Sequence, residues 1–175
     1  MNVQPNQKLT PKDFTAFFLP FAKEAQTVTG IDAIAMLAQG AWESGWNAAS
    51  PVWMLFGVKD TDGINGNEQL LATTEYSRSA SASFPNIISV TPVIRNGQKW
   101  FKYKIKDYFR KYNTPAECFT DHGNFFLRNA RYKKALLVKG DCDKFIDAIS
   151  AAGYATDPNY ATNLKKIADT IRKNI

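Results

Sequence analysis

Gln39-Gly40-Ala41-Trp42-Glu43-Ser44-Gly45-Trp46 sets one carboxylate between two tryptophans, at the point where a helical pattern runs out. Upstream, Ile31, Ile34, Ala35, Ala38, Ala41 and Trp42 recur at three- and four-residue steps, the spacing of a buried helix face. Gly45 suits the left-handed backbone that stops a helix, so Glu43 falls in the last turn. The negative end of the helix dipole disfavours an ionised acid there, and indole neighbours strip its water. Both effects raise a carboxyl pKa toward the range that a general acid needs near neutral pH. A glutamic acid against a tryptophan in an apolar pocket is an established way of keeping such an acid protonated, and the pattern points to sugar chemistry. A Glu near a helix end is, by itself, most often a solvated surface residue. The case for Glu43 therefore depends on what else the chain carries.

The chain has 175 residues, 45% of them hydrophobic, which suits one compact domain with a sizeable core. No apolar run reaches the length of a membrane span. The opening Met1-Asn2-Val3-Gln4-Pro5-Asn6-Gln7-Lys8 has no apolar signal-peptide core. The net charge is +6, with basic residues concentrated late, at Lys99, Lys102, Lys104, Lys106, Arg110 and Lys111, then Arg131, Lys133 and Lys134. Such a balance attracts polyanions in general, whether nucleic acid, anionic lipid or bacterial wall polymers. No nucleic-acid recognition motif accompanies it, so no nucleic-acid partner is expected. Two cysteines, Cys118 and Cys142, and one histidine, His122, exclude an ordinary zinc cluster, and no metal or cofactor is expected. His122 reads as structural or surface. The cysteines fall in different predicted helices and read as buried free thiols, with a disulfide as the alternative in an oxidising compartment.

Thr10-Pro11-Lys12-Asp13 opens a first helix, capped by Thr10, with Phe14, Phe17, Phe18 and Phe21 as its apolar stripe toward Gly30 and Pro20 as a candidate kink. The second helix ends at Glu43. From Pro51 to about Lys106 the helical period disappears. Leu70–Tyr76 and Lys99–Lys106 alternate as strands do, with Phe101, Tyr103 and Ile105 opposite Lys102, Lys104 and Lys106. Asn96-Gly97 is a tight-turn pair joining the latter strand to Val90–Ile94. Helices resume after Asp107: Thr114-Pro115-Ala116-Glu117 is a capping box, Asp141-Cys142-Asp143 opens another helix, and Asp157-Pro158 is expected to cap the last. The fold class expected is α+β, mainly α. It is a single domain over 1–175, with a helical core at about 10–50 and 107–175 and a small antiparallel β lobe at about 51–106.

Several motifs then occur in order. Ala-Trp-Glu-Ser-Gly-Trp at 41–46, Leu-Phe-Gly-Val-Lys at 55–59 and Thr-Thr-Glu-Tyr at 73–76 come first. Tyr108-Phe109-Arg110-Lys111-Tyr112, Asn129-Ala130-Arg131-Tyr132 and Ala152-Gly153-Tyr154-Ala155-Thr156-Asp157-Pro158-Asn159-Tyr160 follow. Together they resemble glycoside hydrolase family 73, the β-N-acetylglucosaminidases that include the flagellar rod-associated peptidoglycan hydrolase, from about Phe14 to the C-terminus. The resemblance implies a lysozyme-like helical fold with a β lobe, and cleavage of peptidoglycan glycan strands after N-acetylglucosamine. It implies Glu43 as general acid, Glu75 as second carboxylate, and Tyr154 as the residue orienting the substrate's acetamido group or the transition state. Trp42, Trp46, Phe56, Tyr76 and Tyr160 are the candidate sugar contacts. Tyr160 on its helical stripe also reads as a packed tyrosine.

One departure from the family pattern stands out: Ser77 to Ile94 adds roughly a hairpin's length after Thr-Thr-Glu-Tyr, which bears on how Glu75 is paired. A lytic transglycosylase using Glu43 alone is the neighbouring reading, and a non-catalytic wall-binding or assembly module is the reading of another class. The expected partner is the peptidoglycan glycan strand, approached by a monomer without membrane insertion. The expected place of action is the bacterial wall, in the periplasm or outside the cell, reached by phage release or by a secretion machine; an excised domain of a larger protein fits equally.

Overall fold

The computed structural model describes residues 3, 7–48, 53–61 and 63–175, so the lobe start expected at Pro51 lies outside the described residues. Its contacts divide the chain into a helical unit, Met1–Phe56 with Lys111–Ile175, and a β unit, Gly57–Arg110.

In the helical unit, α1 (Pro11–Thr29) begins as its sequence dictates: the Thr10 hydroxyl accepts the Asp13 N–H and Pro11 fills the first turn. Pro20 lies on the solvent side, and the helix runs through it to a left-handed Gly30. Phe14, Phe18, Ala22 and Ala25 form the buried stripe. α2 (Ala33–Ser44) is capped by Asp32 and is buried nearly all round, from Ala35 through Ala41. This is more than the single apolar face read from the sequence, and it marks α2 as the central helix of the unit, packed on α1 and on α6 (Tyr160–Arg172).

Helix α3 (Pro115–Arg128) starts with the Thr114 hydroxyl on the Glu117 N–H, while the Glu117 carboxylate reaches back to the Asn113 N–H. It crosses α1 closely, because Gly123 has no side chain to hold it away from Thr29. A 3-10 turn (Ala130–Tyr132) and the short α4 (Lys133–Leu136) lead to α5 (Cys142–Ala151), capped by Asp141. The last helix departs from the sequence reading. Asp157 closes a turn onto Asn159 and Tyr160, and α6 begins only at Tyr160 with Asn159 at its cap position. Cys118 and Cys142 are both buried free thiols, and no helix among the described residues is long and apolar enough to cross a membrane.

In the β unit, β1 (Glu68–Ser77), β2 (Ile87–Arg95) and β3 (Gln98–Arg110) form an antiparallel sheet in the order β1-β3-β2. Asn96 and Gly97, both at positive φ, make the two-residue turn from β2 to β3. The added segment therefore supplies an outer strand and does not displace β1. Its connecting loop folds over the sheet, where the Tyr103 hydroxyl donates to the Ser79 carbonyl and accepts the Ala82 N–H, with Phe84 against the ring. Tyr103, Ile105 and Phe109 are the buried residues of this face. Residues 58–60 pair with the end of β3, beyond the reach of β2.

Candidate active site

Two helix ends of the same construction set the site in the helical unit. At the end of α2 the Gly45 N–H returns to the Trp42 carbonyl and the Trp46 N–H to the Ala41 carbonyl. At the end of α5 the Gly153 N–H returns to Ser150 and the Tyr154 N–H to Ile149. Both are Schellman closures, which need a left-handed residue after the helix, and Gly45 (φ 59°) and Gly153 (φ 78°) supply it. Glu43 is thereby fixed in the final turn of α2, and Tyr154 is turned back over the end of α5.

Trp46 is also left-handed, at φ 65°, a costly conformation for a residue with a side chain. Its carbonyl accepts the Leu9 N–H and its indole meets Phe14 edge-on, while the Lys8 ammonium donates to the Gly45 carbonyl. The segment around Lys8 pairs with Asn47, so chain remote in sequence holds this turn.

Glu43 is an exposed residue whose carboxyl is nevertheless crowded enough by protein that desolvation raises its pKa above the ordinary value. Its charge acts on the hydroxyls of Tyr154 and Tyr160, and burial, above all, pushes both phenols upward. Both hydroxyls therefore remain protonated and able to donate. The Tyr154 ring lies 5.6 Å from Phe126 and 5.6 Å from Tyr160, at tilted angles, with Tyr132 also in contact. Trp42 is 37% exposed and meets Tyr160 edge-on at 6.1 Å.

Beneath these groups runs a buried polar chain. The Gln39 amide nitrogen donates to the Tyr160 hydroxyl at 3.1 Å, and its carbonyl oxygen lies 3.0 Å from His122 Nε2. Since the amide nitrogen is engaged with Tyr160, the proton between Gln39 and His122 belongs to the imidazole. His122 stacks on Phe56 at 3.7 Å, and burial lowers its pKa to about 3, so it is neutral. Gln39 and His122 escaped the sequence reading as a pair. The signal for Gln39 was present: a polar side chain one turn before Glu43 on a helix otherwise made of apolar residues.

The other candidate residues fall as follows. Glu75 lies in the β unit, paired with Tyr103 across β1 and β3, and its carboxylate accepts from Lys59 at 3.0 Å. Lys59 also holds Asp107 at 2.9 Å, and the hydrogen bond to Asp107 is the largest cause raising the Lys59 pKa. Tyr76 is exposed, with the Arg95 guanidinium 4.0 Å over its ring. Trp46 is half-buried. Of the other candidate sugar contacts, Phe56 and Tyr160 are 9% and 1% exposed: Tyr160 takes the packed reading of its helical stripe, against Trp42 and Tyr154, and the Phe56 ring is likewise used in packing, against His122 and Phe119. No group of three or more metal-ligating side chains occurs among the described residues.

A helical unit carrying a raised glutamic acid at a helix end, with a small antiparallel sheet in the same chain, is the make-up of lysozyme-like glycosidases. The chain matches the glucosaminidase family, described as mannosyl-glycoprotein endo-beta-N-acetylglucosaminidase, over residues 19–173, and it belongs to that family of glycoside hydrolases. It is 30% identical over 168 residues to the peptidoglycan hydrolase FlgJ of Vibrio parahaemolyticus, covering 93% of this chain and 48% of that one. The chain thus spans about half the length of the curated relatives it matches. Among solved structures, a C-terminally truncated glycoside hydrolase domain of Salmonella typhimurium FlgJ superposes with a TM-score of 0.68 at 30% identity, covering 94% of this chain and 99% of that one. The catalytic domain of the autolysin Auto from Listeria monocytogenes shares the fold, with a TM-score of 0.70 at 21% identity over 96% of this chain and 88% of that one.

Proposed function

We propose that this chain hydrolyses the glycan strand of peptidoglycan at the β-1,4 bond after N-acetylglucosamine, with Glu43 as the general acid. The observation that carries the reading is the Glu43 carboxyl itself, raised by desolvation at the end of α2 beside two protonated phenols. A raised pKa keeps the acid loaded to a higher pH than an ordinary carboxyl reaches, and the proton passes to the glycosidic oxygen as the bond to the anomeric carbon breaks. Tyr154, half-buried and a hydrogen-bond donor, orients the acetamido group of the sugar on which positive charge develops. Glu75, held by Lys59, is the base or the charge stabiliser. The kinship to peptidoglycan hydrolases supports the substrate.

The test is digestion of purified sacculi by wild type and by Glu43→Gln, with the released fragments read by mass spectrometry. Loss of release in Glu43→Gln, with reducing N-acetylglucosamine ends from the wild type, is the expected result. Anhydro-muramic ends would mean a lytic transglycosylase instead. Undiminished release by Glu43→Gln would remove Glu43 from the chemistry. Binding of sacculi with no fragments from either protein would mean a wall-binding module.

A further inference from the structure

We infer that one face of the β sheet is a retention surface for the carboxylate-bearing stem peptides of the bacterial wall; the inference rests on the proposed wall substrate. Alternation along β3 puts Trp100, Lys102, Lys104, Lys106 and Tyr108 on the face opposite the buried Tyr103 and Ile105. The register brings Tyr76, Thr74, Ala72 and Leu70 of β1 beside Lys102, Lys104, Lys106 and Tyr108. On the other side, Arg95, Val93, Thr91 and Ser89 of β2 lie beside Gln98, Trp100, Lys102 and Lys104.

No aspartate or glutamate shares this face between Leu70 and Tyr76, Ser89 and Arg95, or Trp100 and Tyr108. Lys102, Lys104 and Lys106 are exposed, and none is within ion-pair distance of a described carboxylate. Same-face residues on a strand stand about 6.8 Å apart, so three like charges sit in a row that raises the potential over the sheet. Like charges in a row repel one another, and a polyanion relieves that repulsion.

The arginines narrow the choice of polyanion. Arg78 lies 4.4 Å over Trp100, and Arg95 covers Tyr76 at 4.0 Å and reaches Trp100 at 5.7 Å. Guanidinium groups thus cover Trp100 and Tyr76, and of the three rings on this face only Tyr108 stays open, short of the run of platforms on which successive nucleic-acid bases stack. What it offers outward is a row of lysine ammoniums, compact point charges suited to single carboxylates on a flexible polymer. Stem peptides, which carry free carboxylates at regular intervals along the glycan, present that chemistry.

The test uses the full chain with a triple variant, Lys102→Glu, Lys104→Glu and Lys106→Glu. Its thermal unfolding is compared with the wild type to establish that it folds. Co-sedimentation at 4 °C is measured with sacculi freed of secondary polymers, with the same glycan after amidase removal of the stem peptides, and with a single-stranded oligonucleotide. Expected is a wild-type affinity for intact sacculi at least tenfold above that of the triple variant at low salt. Salt should weaken the wild-type binding, and removal of the stems should bring wild type and variant to equal binding. Equal affinity of the two proteins for intact sacculi overturns the inference. So does a wild-type preference that survives removal of the stems, or tighter binding to the oligonucleotide than to sacculi. Release of glycan fragments by the wild type is scored separately at 37 °C, so an enzyme that cleaves the wall but fails the lysine comparison refutes this surface and leaves the hydrolase reading standing.

Discussion

At Glu43 the raised carboxyl pKa has opposite consequences for catalysis and for stability. As the proposed general acid, Glu43 stays loaded to higher pH than an ordinary carboxyl, so kcat should fall as pH rises through the raised value. Glu43→Gln should lower the rate by about 10²–10⁴, the usual weight of general acid catalysis. For stability the native state holds the proton where the unfolded chain, with its ordinary pKa of 4.5, has already lost it. Stability therefore falls as pH rises out of the acid range, and Glu43→Gln should unfold at a higher temperature than wild type at pH 7 and at an equal one at pH 4 or below. His122 has the reverse sign. Its pKa drops from 6.5 to about 3 on folding, so its contribution is complete above pH 6.5 and is lost as pH falls toward 3. Gln39→Leu would leave both the His122 N–H and the Tyr160 hydroxyl without their buried partner. It should cost about 1–3 kcal/mol in denaturant unfolding, and a loss below about 0.5 kcal/mol would show that the chain His122–Gln39–Tyr160 is not maintained in solution.

At the scale of elements, the two Schellman closures are the devices that aim Glu43 and Tyr154, and each turns on one glycine. Around Gly153 nothing lies within 4 Å of where a Cβ would stand, and around Gly45 the nearest atoms are at 3.9 Å. Alanine at either position thus meets no clash, and its cost is backbone strain of about 1–2 kcal/mol. If the closures position the chemistry, Gly153→Ala and Gly45→Ala should lower kcat by tenfold or more while the proteins stay folded at 25 °C; unchanged kcat in both would separate the closures from function. Gly123 is the contrasting case. A Cβ there would lie 2.6 Å from Thr29 Cγ2 between α1 and α3, so Gly123→Ala should destabilise by overpacking, by about 1–3 kcal/mol, without a particular effect on kcat. These element starts and stops were legible because they are local: Thr10, Thr114 and Asp141 cap the helices they precede, and Asn96-Gly97 makes its turn. Asp157-Pro158 misled for a local reason as well, since Asp157 engages Asn159 in a turn of its own and the helix waits two residues longer.

In the whole molecule the buried side chains are unevenly shared. The helical unit buries all of α2 from Ala35 to Ala41 and the stripes of α1, α3, α5 and α6, whereas the sheet buries chiefly Tyr103, Ile105 and Phe109. Local opening follows buried contact, so amides of α1, α2 and α6 should exchange with solvent most slowly, and those of β2, an outer strand with exposed side chains, fastest among the regular elements. Hydrogen exchange resolved by peptide would reveal the order, and equal protection of β2 and α2 would contradict it. Sequence by itself determined the helical class, the β lobe, the family and the singling-out of Glu43, because capping, periodicity and ordered motifs are properties of neighbouring residues. Tertiary structure alone decided that the added segment becomes an outer strand beyond β3, leaving Glu75 opposite Tyr103 and bound to Lys59. It also decided that Phe56 is buried, stacked on His122, and that Gln39 joins His122 to Tyr160. The physical reason is separation along the chain: Gln39 lies 83 residues from His122 and 121 from Tyr160, and only the packing of helices on α2 brings such partners within hydrogen-bond reach.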